Sequence, residues 1–111
     1  MTESEFNNRV DETLERIEEA LDEAETDLDY LNQGGVLTVI CENKSQIIFT
    51  RQGPVKQLWV AARSGGFHFD FDADSQQWLR DSDQASLSSV LDQAFAEQAG
   101  ETFTFDFAFD A

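Results

Sequence analysis

Between residues 10 and 24 a helical rhythm runs beneath a load of acid. Val10, Leu14, Ile17, Leu21 and Ala24 recur at spacings of four, three, four and three, which sets them on one face of a helix. Around them stand Asp11, Glu12, Glu15, Glu18, Glu19, Asp22, Glu23, Glu25, Asp27 and Asp29, against the single base Arg16. Such a segment buries one stripe against the rest of the domain and presents a wall of carboxylates on the other side.

That wall is costly. Between Asp11 and Glu25 eight acid–acid pairs lie three or four residues apart. At about 0.2–0.5 kcal/mol each before screening they sum to roughly 2–4 kcal/mol, against a domain stability of about 5–15 kcal/mol. Asp22, Glu23 and Glu25 add to the cost, because the expected helix end near Glu25 or Thr26 is where the macrodipole disfavours negative charge. A charge run is ordinarily a solvated face. The cost and the placement at the wrong helix end argue instead for a cationic partner or a metal ion.

The rest of the chain supplies the surface that the stripe covers. Thr2 and Glu5 have capping-box spacing, so the first helix starts near residue 3 or 4. After it, Asp27–Leu31 alternates with period two, and Asn32-Gln33-Gly34-Gly35 reads as a turn. Strands are expected at Val36–Glu42, Gln46–Thr50, Val55–Arg63, Phe67–Phe71 and Gln76–Arg80, with Pro54 breaking the second from the third. Asp81 to Asp83 should cap a second helix from about Gln84 to Gln98, closed by Gly100. A last stretch, Thr102–Phe109, alternates phenylalanines. Short connections imply an antiparallel sheet, and two single-striped helices imply that both cover one face of it. The expected fold is α+β: a two-layer α/β sandwich, with two helices packed on one face of an antiparallel five- to six-stranded sheet. Residues 1–111 form one domain.

Charge and cysteine usage exclude several functions. The formal net charge is −16, and residues 1–29 carry twelve acids and two bases of it. Such a chain repels nucleic acid and anionic membrane and attracts cations or basic protein surfaces. No long apolar run or signal segment is present, and the single cysteine, Cys41, fits a reducing compartment. The expected setting is cytoplasmic.

No catalytic constellation is legible. His68 and Cys41 are each alone and in different strands, phosphate-loop and dinucleotide signatures are missing, and a solvated helix face has no pocket to split the pKa values of a carboxylate pair. An all-carboxylate ridge lacks thiolate and imidazole, which suits hard cations such as Ca2+, Mn2+ or iron and argues against structural zinc. A second candidate is Trp59. Leu58 and Val60 share one strand face, so Gln57 and Trp59 share the other. Trp59 is then either an exposed binding residue on an open sheet face or part of the core. His68 also points outward, where a lone histidine is more often nothing than a ligand.

Taken together, several segments resemble the bacterial frataxin (CyaY) family. They are the ridge, Asn32-Gln33-Gly34-Gly35-Val36-Leu37-Thr38, Thr50-Arg51-Gln52-Gly53-Pro54, Lys56-Gln57-Leu58-Trp59-Val60-Ala61, Gly65-Gly66-Phe67-His68-Phe69-Asp70 and Gln98-Ala99-Gly100-Glu101-Thr102. The likeness covers nearly the whole chain in order. It implies a non-enzymatic protein of iron–sulfur cluster assembly that binds Fe2+ and Fe3+ weakly and docks a basic surface of the cysteine desulfurase. With Glu15 from the acidic face, the implied metal positions are Glu18, Glu19, Asp22, Glu23, Glu25, Asp27 and Asp29. Glu18, Glu19 and Asp22 also serve the partner. Gln52, Gln57 and Trp59 map to the family's sheet surface, where the scaffold protein binds. The resemblance further implies a monomer that iron can drive to oligomerise, and a tail whose Phe107 and Phe109 pack between the helices.

Overall fold

The computed structural model describes residues 1–25, 28–101, 103 and 105. A first helix, α1 (Glu3–Asp22), leads into six strands: β1 (Asp29–Gln33), β2 (Val36–Ile40), β3 (Gln46–Gln52), β4 (Gln57–Ala62), β5 (Gly65–Asp72) and β6 (Gln77–Arg80). A second helix, α2 (Leu87–Gln98), follows. The strands lie in the order of the chain, each antiparallel to the next, as short connections require. Both helices bury their stripes on one sheet face. Phe6, Val10, Leu14, Ile17 and Leu21 of α1, and Leu87, Leu91 and Phe95 of α2, share a core with Leu37, Val39, Ile47, Phe49, Leu58, Val60, Phe69 and Trp78 of the sheet. This is the expected two-layer sandwich.

The capping box at the start of α1 is made: the Glu5 N–H donates to Thr2 Oγ1 at 3.0 Å, and the Thr2 N–H donates to Glu5 Oε1 at 3.4 Å. The helix ends at Asp22 with Glu23 as its cap, short of the expected Glu25 or Thr26. Ala24 keeps the rhythm because it still packs against the core from outside the helix. Its periodicity reported burial rather than helix.

Other boundaries move for local reasons. β1 extends through Asn32 and Gln33, which the sequence reading put in a turn. The turn is only Gly34-Gly35, at φ of 60° and 79°, the two-residue geometry that matches strand twist and that glycine accepts most readily. β2 stops at Ile40, because the Cys41 N–H turns back to the Ser45 carbonyl at 2.8 Å. β3 runs on to Gln52, and Gly53–Val55 forms a 3-10 turn around Pro54, so β4 starts at Gln57. The cap of α2 is Ser86, whose Oγ accepts the Ser89 N–H at 3.3 Å. Asp83 does not cap this helix: its carboxylate is taken by Arg80 at 2.7 and 2.9 Å and by the Ala85 N–H at 3.1 Å. Gly100, at φ 71°, closes α2 as expected. Phe103 and Phe105 bury against Phe95, with ring centroids 5.1 and 5.3 Å from it. Phe107, Phe109 and Asp27 lie outside the described residues.

One buried polar contact ties helix to sheet. Thr13 and Trp78 are both fully buried, and the Trp78 Nε1–H donates to Thr13 Oγ1 at 2.9 Å. The Thr13 hydroxyl in turn donates to the Arg9 carbonyl at 2.7 Å.

Candidate functional site

The ridge is built by α1 and the edge strand β1, which lie side by side. Along β1 alternate residues point to the same face. Two of them reach the helix: the Tyr30 hydroxyl donates to Asp22 Oδ1 at 2.7 Å, and the Asn32 amide donates to Glu18 Oε1 at 3.2 Å. Two carboxylates one helical turn apart are therefore held by two residues one strand repeat apart. Burial, absent from the sequence pattern, decides the rest: Glu18 is half-buried, and Glu15, Glu19, Asp22, Glu23 and Glu25 are exposed.

Asp29 is on a different face. With Tyr30 and Asn32 turned towards α1, Asp29, Leu31 and Gln33 face the side of the sheet that no helix covers. Asp29 is exposed there and pairs in register with Ile40. It shares the edge with the ridge without sharing its helical face. The neighbouring Glu25 offers its backbone N–H to the Glu101 carboxylate at 3.3 Å, which brings another acid to the end of the ridge.

The helix's acids are less isolated than the sequence implies. Arg51 of β3 donates to Asp11 Oδ1 at 2.6 Å and to Asn7 Oδ1 at 3.1 Å, and Arg9 pairs with Glu12 at 3.4 Å. These pairs lie on the first half of α1. Arg16 stands within the second half, and no basic residue stands in the last turn, where Glu18, Glu19 and Asp22 crowd together. The Asp22 hydrogen bond, followed by desolvation and the charges of Asp22 and Glu18, raises the Tyr30 phenol above its ordinary 10.0. Among the described residues, no three carboxylate, imidazole or thiolate groups converge on one point. The donor set fits a hard cation bridged by two side chains and completed by water, held weakly and exchangeably.

The uncovered sheet face carries the second candidate. Leu58 and Val60 are buried and Trp59 is half-buried on the opposite side, outside the core. Trp59 stacks on His68 of β5 at 4.2 Å between ring centroids, and its Nε1–H donates to Gln57 Oε1 at 3.0 Å. The Gln57 amide reaches Asp70 at 3.2 Å and Asp81 at 3.5 Å, and His68 Nδ1 lies 3.7 Å from Asp81. Gln52 sits opposite Gln57 in the β3–β4 register. The structure thus gathers Gln52, Gln57 and Trp59 on one surface, away from the ridge. Sequence reasoning missed Tyr30 and Asn32 as holders of the ridge acids. The Gly34-Gly35 pair was the available signal, since a two-residue hairpin carries β1 through both.

A family model for the frataxin-like domain matches residues 1–101. The chain belongs to the frataxin-like family. This frataxin-like chain is similar to the iron-sulfur cluster assembly proteins CyaY of Pseudomonas aeruginosa, 50% identical over 105 residues that cover 95% of this chain and 97% of the relative, and of Pseudomonas fluorescens, 45% identical over 106 residues that cover 96% of each. Among solved structures, the frataxin of Psychromonas ingrahamii superposes with a TM-score of 0.87 at 33% identity, covering 96% of this chain and 99% of that one. Among the described residues of this frataxin-like chain, no helix is long and apolar enough to cross a membrane.

Proposed function

We propose that this frataxin-like protein is a non-enzymatic regulator of cytoplasmic iron–sulfur cluster assembly. Its ridge binds Fe2+ or Fe3+ weakly through Glu15, Glu18, Glu19, Asp22, Glu23, Glu25, Asp27 and Asp29. The same ridge, chiefly Glu18, Glu19 and Asp22, docks the basic surface of the cysteine desulfurase. Gln52, Gln57 and Trp59 on the open sheet face meet the iron–sulfur scaffold protein. The protein works as a monomer, and iron bridging between ridges drives any oligomer. The observation that carries this reading is the run of carboxylates at the end of α1, with no base in the last turn. Iron is cargo or effector here, since exposed carboxylates exchange their cations freely.

A second reading keeps the partner and makes metal binding incidental. It is favoured by the lack of any convergent group of three ligands among the described residues. Iron titration followed by amide signals separates the two. The first reading expects residues 15–29 to respond first, with added salt or Ca2+ competing. Responses centred on Trp59 or His68 would reject the ridge as the iron site.

A further inference from the structure

β1 is one of the two edge strands of the sheet, and among the described residues no strand pairs with its outer side. Its hydrogen-bonding direction follows from the hairpin. The two-residue turn makes Gln33 and Val36 the bonded pair that closes it, and the register continues through Leu31–Thr38 and Asp29–Ile40. In an antiparallel pair bonded and non-bonded residues alternate. The N–H and C=O groups of Tyr30 and Asn32 therefore point away from β2 into the open edge. A long, flat edge is normally blunted by lysine, proline or a bulge. Within Asp29–Gln33 there is none of these residues, and beside the exposed Asp29, Asn32 and Gln33 the strand also exposes an apolar side chain, Leu31, 51% accessible.

We propose that this edge takes up an extended, basic segment of a partner protein as an added strand beneath the ridge. The spacing is already displayed by β1 itself, where residues two apart meet α1 carboxylates four apart. Strand repeats of roughly 6.6–6.8 Å and helical steps of about 6 Å are near enough to match over several residues. A strand added outside β1 meets the next carboxylates round the helix, Glu15 and Glu19, both exposed. Lysine or arginine at alternate positions fits them, and apolar residues between fit beside Leu31. Main-chain bonds supply affinity and alternate side chains specificity. A second copy of this chain is a poor occupant, because pairing two edges would bring together two chains of net charge −16. The inference rests on the ridge as a partner surface and adds the mode of docking.

The test is amide hydrogen exchange on the full chain at low salt, with synthetic peptides of about ten residues. One alternates arginine with valine, and one has the same composition with its arginines in a block. Two more are the alternating peptide N-methylated on its arginines or on its valines. Strand addition expects the alternating peptide to slow exchange at Tyr30 and Asn32 at least about tenfold. It expects one N-methylated form to keep that effect and the other to lose it, since only one edge of the added strand faces β1. Equal binding by all four peptides, with responses confined to α1, overturns strand addition and leaves the ridge as a charge-only docking surface. Failure of every peptide to perturb the ridge overturns both. Protection at Tyr30 and Asn32 that grows with protein concentration, without peptide, assigns the edge to a second copy and also overturns the proposal.

Discussion

If the ridge is kept for binding at the expense of stability, neutralising it should stabilise the fold while it removes function. The variant is Glu18→Gln, Glu19→Gln and Asp22→Asn together. Each new side chain still accepts a hydrogen bond, so the contacts from Asn32 and Tyr30 survive. Because α1 ends at Asp22, the pairs with Glu23 and Glu25 drop out of the sequence-based cost. Four repulsive pairs within the helix are removed: 15–18, 15–19, 18–22 and 19–22. At about 0.2–0.5 kcal/mol each, their loss contributes roughly 1–2 kcal/mol at low salt. Removing the acid from the last turn adds about 0.3–1 kcal/mol. Circular dichroism melts should then show Tm raised by roughly 4–12 °C near 0.01 M salt, shrinking towards zero near 1 M. A variant less stable than the parent, or a gain that persists unchanged in high salt, would refute the repulsion argument.

Three further outcomes follow from contacts within the fold. Thr13→Val strands the buried Trp78 N–H and should cost about 1–3 kcal/mol in urea unfolding, whereas Thr13→Ser, which keeps the hydroxyl, should recover most of it. The chain's single tyrosine allows tyrosinate absorbance to read Tyr30 alone: its midpoint should lie above 10.0 and fall back towards that value in Asp22→Ala. Its contribution to stability is fully present below pH 10.0 and lost as pH rises through the raised value. Asp83 has the opposite sign: the Arg80 guanidinium, then the Ala85 N–H, lower its carboxyl from 3.8 to about 2. Its stabilising contribution is present above pH 3.8 and lost as pH falls towards 2, so Asp83→Asn should flatten stability against pH in that window.

The layers of this fold were legible because each element carried its own period. Val10, Leu14, Ile17 and Leu21 announced a helix, and Leu58 and Val60 set the inward face of β4, with Trp59 left on the other side. What failed to show were contacts that sequence spacing does not encode. Ala24 looked helical because burial, and not hydrogen bonding, sets the apolar rhythm. Asp83 looked like a cap because aspartate caps well, but Arg80, two-handed and three residues away, claimed its oxygens. Among the ridge residues, membership in the acidic run was plain, yet the face of each was not. Asp29 turns to the open sheet and Asp22 is tied to Tyr30, which only the register of β1 decides.

The most direct test of the central claim is the affinity of the cysteine desulfurase for this protein and for the ridge-neutralised variant, each with and without Fe2+ and at two salt concentrations. Binding should be tight at low salt, weaken with salt and with Fe2+, and be lost when Glu18, Glu19 and Asp22 are neutralised. Equal affinity for the parent and a folded variant, at either salt, would contradict that claim.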